Sequence, residues 1–124
     1  MAKRTFFLRV GALALFFTAT AAQAASYQFL AAPETDLNRI FRLDKTTGEM
    51  GACQYGTKEG GDPVGVTLCY PPGEGAGPQK PSDYALVASH HTREGGVFRV
   101  DMHTGAMSIC YVLNDKVVCT PPAR

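Results

Sequence analysis

Hydrophobic and polar residues alternate along most of the chain after residue 26, in short runs separated by turn-forming residues. A period of two is typical of strands with two chemically different faces. The pattern predicts eight strands, over residues 27–31, 39–44, 50–55, 64–70, 84–88, 96–101, 107–113 and 116–120. Beyond the N-terminal segment no run has a helical period, so the expected fold class is all-β.

The second half of this pattern repeats the first at an offset of 57 residues. Phe41 corresponds to Phe98 in this way, and Cys53 corresponds to Cys110. Each copy holds four predicted strands, so we expect two tandem four-stranded antiparallel meanders, or blade-like repeats. Their apolar faces can be buried by packing the two sheets into a small sandwich or barrel, which we expect. The alternative is a ring of several chains.

The first 24 residues have the features of a secretory signal peptide. Lys3, Arg4 and Arg9 supply positive charge, an apolar run covers residues 10–22, and the Ala-Gln-Ala sequence at 22–24 fits a cleavage site. A run of about 13 apolar or small residues is shorter than the ~20 that span a bilayer. We therefore expect a signal helix that is removed, with an uncleaved membrane anchor as the alternative.

Removal of this leader defines the domain organisation and the compartment. The signal peptide covers residues 1–24 and one β domain covers 25–124, with repeats at 27–72 and 84–122 and a Pro/Gly linker at 71–83. The expected localisation is periplasmic or secreted, with no stable membrane span after cleavage.

Loss of the leader also changes the charge of the chain. Twelve basic residues less the three in the leader leave nine, against eleven acidic residues. A slightly acidic domain lacks the clustered basic face that phosphate backbones require, so nucleic acid is not an expected partner.

All four cysteines lie in the β domain, which favours two disulfides in an exported protein. A two-residue hairpin at Asn114-Asp115 would place Cys110 directly opposite Cys119 at a non-hydrogen-bonded position. Repeat equivalence then predicts a Cys53–Cys69 bridge. Two other connectivities, which join the repeats, remain open.

The second strand of each repeat also carries a recurring set of charged residues. Alternation places one side of the strand toward the core, with Phe41, Leu43, Phe98 and Val100. The opposite, polar side carries the candidate ligand-binding residues Arg42, Asp44, Arg99 and Asp101. A guanidinium there could bind a carboxylate or phosphate, so the expected partner is an envelope protein or a small anionic ligand. The alternative is a pair of surface ion pairs, with each Asp also holding its turn.

Histidines give the main alternative to a binding role. His90 and His91 precede the second strand of the second repeat and His103 follows it, so about 20 Å of strand separates them and they should not share a metal ion. Ordinary loop histidines are the expected outcome. The alternative is a periplasmic metal-handling protein or small enzyme that uses His90, His91 or the acidic residues.

The turn sequence Asp-x-x-Thr-Gly, at 44–48 and 101–105, resembles the core of the blade repeats in quinoprotein-dehydrogenase-type β-propellers. That family has Ala two positions before the Asp and Trp four positions after the Gly. This chain has instead Arg42 and Arg99, and Ala52 and Ile109. The resemblance implies blade-like meanders. The matched residues include no cofactor ligands, and none is expected.

These observations together predict a small, exported, disulfide-stapled β-repeat protein. We expect a non-catalytic binding or structural module of the cell envelope, monomeric in the first instance, with a ring oligomer as the alternative.

Overall fold

The computed structural model of the protein describes residues 1–8, 10–19 and 25–124, and these form an all-β structure. The first sheet contains β1 (Tyr27–Ala31), β2 (Arg39–Asp44), β3 (Met50–Gly56) and β4 (Val66–Tyr70). The second contains β5 (Tyr84–Val87), β6 (Val97–Asp101), β7 (Met107–Leu113) and β8 (Lys116–Cys119). Each sheet pairs its strands antiparallel in chain order, so the two predicted meanders are confirmed.

Of the two expected architectures, a sandwich or a barrel, the structure has two separate sheets that pack on each other. Within the described residues neither sheet closes on itself. Residues 1–8 and 10–19 form no helix, so the predicted signal helix is not seen there. Arg9 and the predicted cleavage site at 22–24 lie outside the described residues. Among the residues that are described, no helix is long and apolar enough to cross a membrane.

Both predicted disulfides are present. Cys110 lies opposite Cys119 in the β7–β8 register, and Cys53 lies opposite Cys69 between β3 and β4. Their environments differ, because Cys110 and Cys119 are buried whereas Cys69 is exposed. The same cross-strand staple therefore contributes to the core in only one of the two sheets.

The core lies between the two sheets, and it corrects one prediction. In β2, Phe41 and Leu43 are fully buried as expected. In β6, the buried residues are Val97 and Arg99, and Phe98 and Val100 are only half-buried. The repeat predicts that the second sheet packs on the first through the face with Phe98 and Val100. It packs instead through the opposite face, with Val97 and Arg99. The two sheets are stacked front to back, in the same orientation.

The linker between the repeats fills part of this core. Ala76 is fully buried, and its carbonyl accepts a hydrogen bond from the amide of Met50 at 2.8 Å. Gly73 donates its amide to the Val117 carbonyl at 2.7 Å, at the edge of the second sheet. The Pro/Gly segment is thus a packed connection between the sheets rather than a solvated spacer.

Candidate functional site

Arg99 lies between the two sheets with only 3% of its surface exposed. Its two terminal nitrogens donate to the carbonyls of Gly48, at 2.8 Å, and Gly75, at 3.0 Å. Burial lowers the pKa of Arg99, and the nearby Tyr84 opposes that change. The guanidinium joins the second sheet to the turn of the first sheet and to the linker, and these contacts use donors that a ligand would otherwise need.

Tyr84 completes this buried contact. A Cβ added at Gly48 would lie 3.2 Å from the Tyr84 ring, so the turn of the first sheet packs directly on the aromatic face. The Tyr84 hydroxyl donates to the carbonyl of Lys80. Burial raises the pKa of Tyr84, and the carboxylate of Asp101 raises it further. These features are those of a structural contact between sheets.

Asp44 and Asp101 hold the two equivalent turns. The Asp44 carboxylate accepts amide hydrogen bonds from Thr46, at 2.9 Å, and Thr47, at 3.0 Å. Asp101 makes the same two contacts in its own turn and also accepts a hydrogen bond from the Ser82 hydroxyl at 2.7 Å. The Thr47 amide lowers the pKa of Asp44, and the Ser82 hydroxyl lowers that of Asp101. Both carboxylates act within their turns.

Arg42 occupies the opposite environment from Arg99, because it lies exposed on the outer face of the first sheet. Its guanidinium lies 5.5 Å from the centre of the Tyr27 ring, within the range of a cation–π contact. Phe29 and Ile40 are 62% and 42% exposed beside it. We call this surface the Arg42 face and define it by Tyr27, Phe29, Ile40, Arg42 and the Cys53–Cys69 disulfide.

A shallow concavity of about 450 Å³ lies on the Arg42 face. Its walls include Phe29, Ile40, the disulfide, and Pro71 and Pro72 at the start of the linker. An arginine above apolar and aromatic side chains suits a partner that offers both an apolar surface and a carbonyl or carboxylate acceptor.

The outer face of the second sheet is a second exposed apolar surface. Met107 and Ile109 in β7 are 49% and 38% exposed, and Phe98 and Val100 in β6 are half-buried beside them. We call this the Ile109 face and define it by these four residues. The Arg42 face and the Ile109 face thus lie at opposite ends of the two-sheet stack.

The four predicted ligand-binding residues do not form one site. Arg42 and Asp44 lie in the first sheet, with Arg42 on its outer face. Arg99 joins the two sheets, whereas Asp101 binds its own turn and Ser82 of the linker. Sequence reasoning missed Phe29 and Ile40, because it treated the arginine side of the strands as uniformly polar. The available signal was Ile40, which precedes Arg42 by two residues and therefore shares its face.

The histidines lie at the surface, in loops. His90 and His91 are exposed before β6, His103 is exposed in the turn after it, and His91 lies 3.8 Å from a carboxylate oxygen of Glu94. Across residues 1–8, 10–19 and 25–124, no three side chains of His, Cys, Asp or Glu converge where they could hold a metal ion.

Comparisons with models of protein families, with curated proteins and with solved structures find no match to this chain. The resemblance of its turns to blade repeats therefore stays a prediction, and functional inference rests on the two exposed faces.

Proposed function

We propose that this protein is an exported, non-catalytic binding module of the cell envelope, and that it works through the Arg42 face. The observation that carries the proposal is the cluster of exposed aromatic and aliphatic side chains around Arg42 on an ordered sheet. Contiguous apolar surface that a small domain leaves exposed is typical of an interaction site.

The composition of the face supports a protein partner. Aromatic residues and arginine are enriched at interfaces, because they combine a large apolar area with a directional polar group. Tyr27 holds the Arg42 guanidinium over its ring, which reduces the side-chain entropy lost on binding. A disulfide crosses the two strands beneath the concavity, so the face needs little rearrangement to bind.

Export is supported by the two disulfides together with the signal-peptide sequence. Cross-strand disulfides persist in oxidising compartments and are rare in the cytosol. The complete chain, expressed in an export-competent bacterium, should accumulate outside the cytoplasm without residues 1–24. Its intact mass, measured without reductant, should be that of residues 25–124 less four hydrogens. Accumulation of the full-length chain in the cytoplasm, with free thiols, would contradict export.

Binding through the Arg42 face can be tested by photo-crosslinking in cells. A photoreactive amino acid at Phe29 should give a discrete protein adduct on irradiation. The same amino acid at Lys58, in the exposed loop between β3 and β4, serves as the matched control and should give none. Equal labelling at both positions, or no adduct at position 29, would overturn the proposal.

A further inference from the structure

We propose that the partner of the Arg42 face is a second copy of this chain, which presents its Ile109 face in a head-to-tail contact. This inference rests on the proposed function, because it names the partner of the same face. It follows from the way in which the two sheets of one chain already pack on each other.

The contact within one chain is made by two different faces of one repeat. The first sheet contributes the face that carries Phe41. The second sheet contributes the face that carries Arg99, and the equivalent face of the first sheet is its exposed outer one. The buried residues from the first sheet include Phe41, Leu43, Met50 and Ala52. Those from the second include Leu86, Val97, Arg99 and Cys110. A front-to-back stack of this kind leaves one face of each type uncovered at its two ends.

The uncovered faces are the repeat equivalents of the covered ones. At the offset of 57 residues, the buried set Leu86, Val97, Arg99 and Cys110 corresponds to Phe29, Ile40, Arg42 and Cys53 of the Arg42 face. The buried set Phe41, Leu43, Met50 and Ala52 corresponds to Phe98, Val100, Met107 and Ile109 of the Ile109 face. Each copy therefore exposes, at its two ends, the equivalents of the two faces that pack on each other inside the chain.

The polar part of the contact also has its equivalent. Within the chain, Arg99 donates to the carbonyl of Gly48, so Arg42 of one copy would donate to the carbonyl of Gly105 in the next. The two turns have the same conformation, with φ of 74° at Gly48 and 75° at Gly105, and each glycine amide donates to its turn aspartate's carbonyl at 2.8 Å. The carbonyl of Gly105 is therefore oriented relative to its turn in the same way as the carbonyl of Gly48.

Space is also free at the second turn. The Tyr84 ring packs on Gly48, whereas a Cβ at Gly105 would meet no atom of the described residues within 4 Å. Tyr27, the repeat equivalent of Tyr84, is 49% exposed and already carries the Arg42 guanidinium over its ring. A second copy would place Tyr27 on Gly105 in the way that Tyr84 covers Gly48.

Parts of the internal contact have no counterpart between copies. The Gln28 side chain bonds both the amide and the carbonyl of Leu86, but its repeat equivalent is Ala85. Arg99 has a second acceptor in the linker, at Gly75. The contact between copies should therefore be weaker than the internal one and dependent on concentration. Because it joins unlike faces, it produces either a closed ring or an open filament.

The test uses protein purified from the envelope of cells that express the complete chain. Sedimentation velocity over a concentration series should show wild-type protein growing beyond the monomer. Arg42→Glu blocks one face and Ile109→Asp blocks the other, so each variant alone should stay monomeric. A mixture of the two should form a one-to-one dimer of twice the monomer mass, because each variant keeps the face that the other lacks.

Lys58→Glu, a charge reversal in the exposed loop between β3 and β4, and Leu68→Asp, at an exposed position of β4 that does not share a side with Cys69, are the matched controls and should assemble as wild type does. Circular dichroism and an intact mass with two disulfides check that each variant folds. If Arg42→Glu misfolds, Phe29→Asp replaces it. Wild-type protein that stays monomeric, or variants that fail to associate when mixed, would overturn the head-to-tail contact.

The crosslink at position 29 separates this inference from the function on which it rests. An adduct of twice the monomer mass supports the second copy. An adduct with a different protein overturns the second copy and leaves the proposed binding function in place. Absence of any adduct overturns both.

Discussion

Arg42 and Arg99 are 57 residues apart and hold the same position in the two repeats, yet Arg42 is exposed on an outer sheet face and Arg99 is buried between the sheets. The difference arises because the second sheet stacks front to back on the first. Arg42 lies over the ring of Tyr27, and Arg99 lies near Tyr84. Arg99 also binds the turn of the first sheet, at the carbonyl of Gly48. The guanidinium of Arg99 therefore has its carbonyl acceptors within the chain, whereas that of Arg42 is exposed to solvent.

Replacement of Arg99 should destabilise the fold strongly. Arg99→Ala removes the hydrogen bonds to the carbonyls of Gly48 and Gly75 and leaves the carbonyl of the buried Gly48 without its donor. The expected loss is about 2–4 kcal/mol in the free energy of unfolding, since buried polar groups without partners are costly. Urea unfolding of the oxidised protein measures it.

The matched control for that loss is Arg42→Ala, which makes the same substitution at the equivalent exposed position. It should cost the monomer less than about 1 kcal/mol, since an exposed cation–π contact is weak. Equal losses for the two variants would contradict the difference in environment.

The two turn glycines provide a second matched pair. Gly48 and Gly105 both have positive φ, so alanine at either position should cost about 1 kcal/mol in backbone strain. At Gly48 the added methyl group also presses on the Tyr84 ring at 3.2 Å, whereas at Gly105 it points into open space. Gly48→Ala should therefore lower the melting temperature of the monomer more than Gly105→Ala, and the reverse order would count against the packing described.

The two disulfides should differ in their sensitivity to a thiol reductant. The attacking thiolate must reach a sulfur atom, and Cys69 is exposed whereas Cys110 and Cys119 are 0% and 6% exposed. Brief treatment of the native protein followed by alkylation should label Cys53 and Cys69 first. Peptide mapping by mass spectrometry measures this order, and prior labelling of Cys110 would contradict the burial.

Acid should weaken the fold through the two turn aspartates. Their pKa values are lowered from the ordinary value of 3.8 in the folded state, so the carboxylates bind protons more readily when the chain is unfolded. The stability that they contribute is present above that ordinary pKa and is lost as the pH falls through the lowered folded pKa.

This dependence can be measured from urea midpoints recorded between about pH 6 and about pH 2. Asp44→Asn and Asp101→Asn keep an acceptor oxygen in the turn but do not titrate. Each should flatten the acid limb of the stability curve, and the double variant should flatten it further. An unchanged slope in the double variant would show that other groups control acid unfolding.

Local features of the fold were predictable because neighbouring residues control them. The repeat and the alternation located all eight strands, with β4 two residues shorter at its start than predicted. The Asn114-Asp115 hairpin fixed the register that places Cys110 opposite Cys119, and both turn residues take positive φ as such a hairpin requires. The candidate site was predictable only in part, since Arg42 lies on an exposed face and Arg99 does not.

The strands, their order in each meander and the disulfide partners follow from the amino-acid sequence, because hydrogen-bond registers and turns depend on residues close in the chain. Which side of each sheet is covered depends instead on how the two sheets pack. Alternation separates the two sides of a strand, but in this chain both sides carry apolar residues, Ile40 and Val97 beside the arginines and Phe41 and Phe98 opposite them. Burial depends on which neighbouring sheet is present, and front-to-back stacking gives equivalent residues opposite environments.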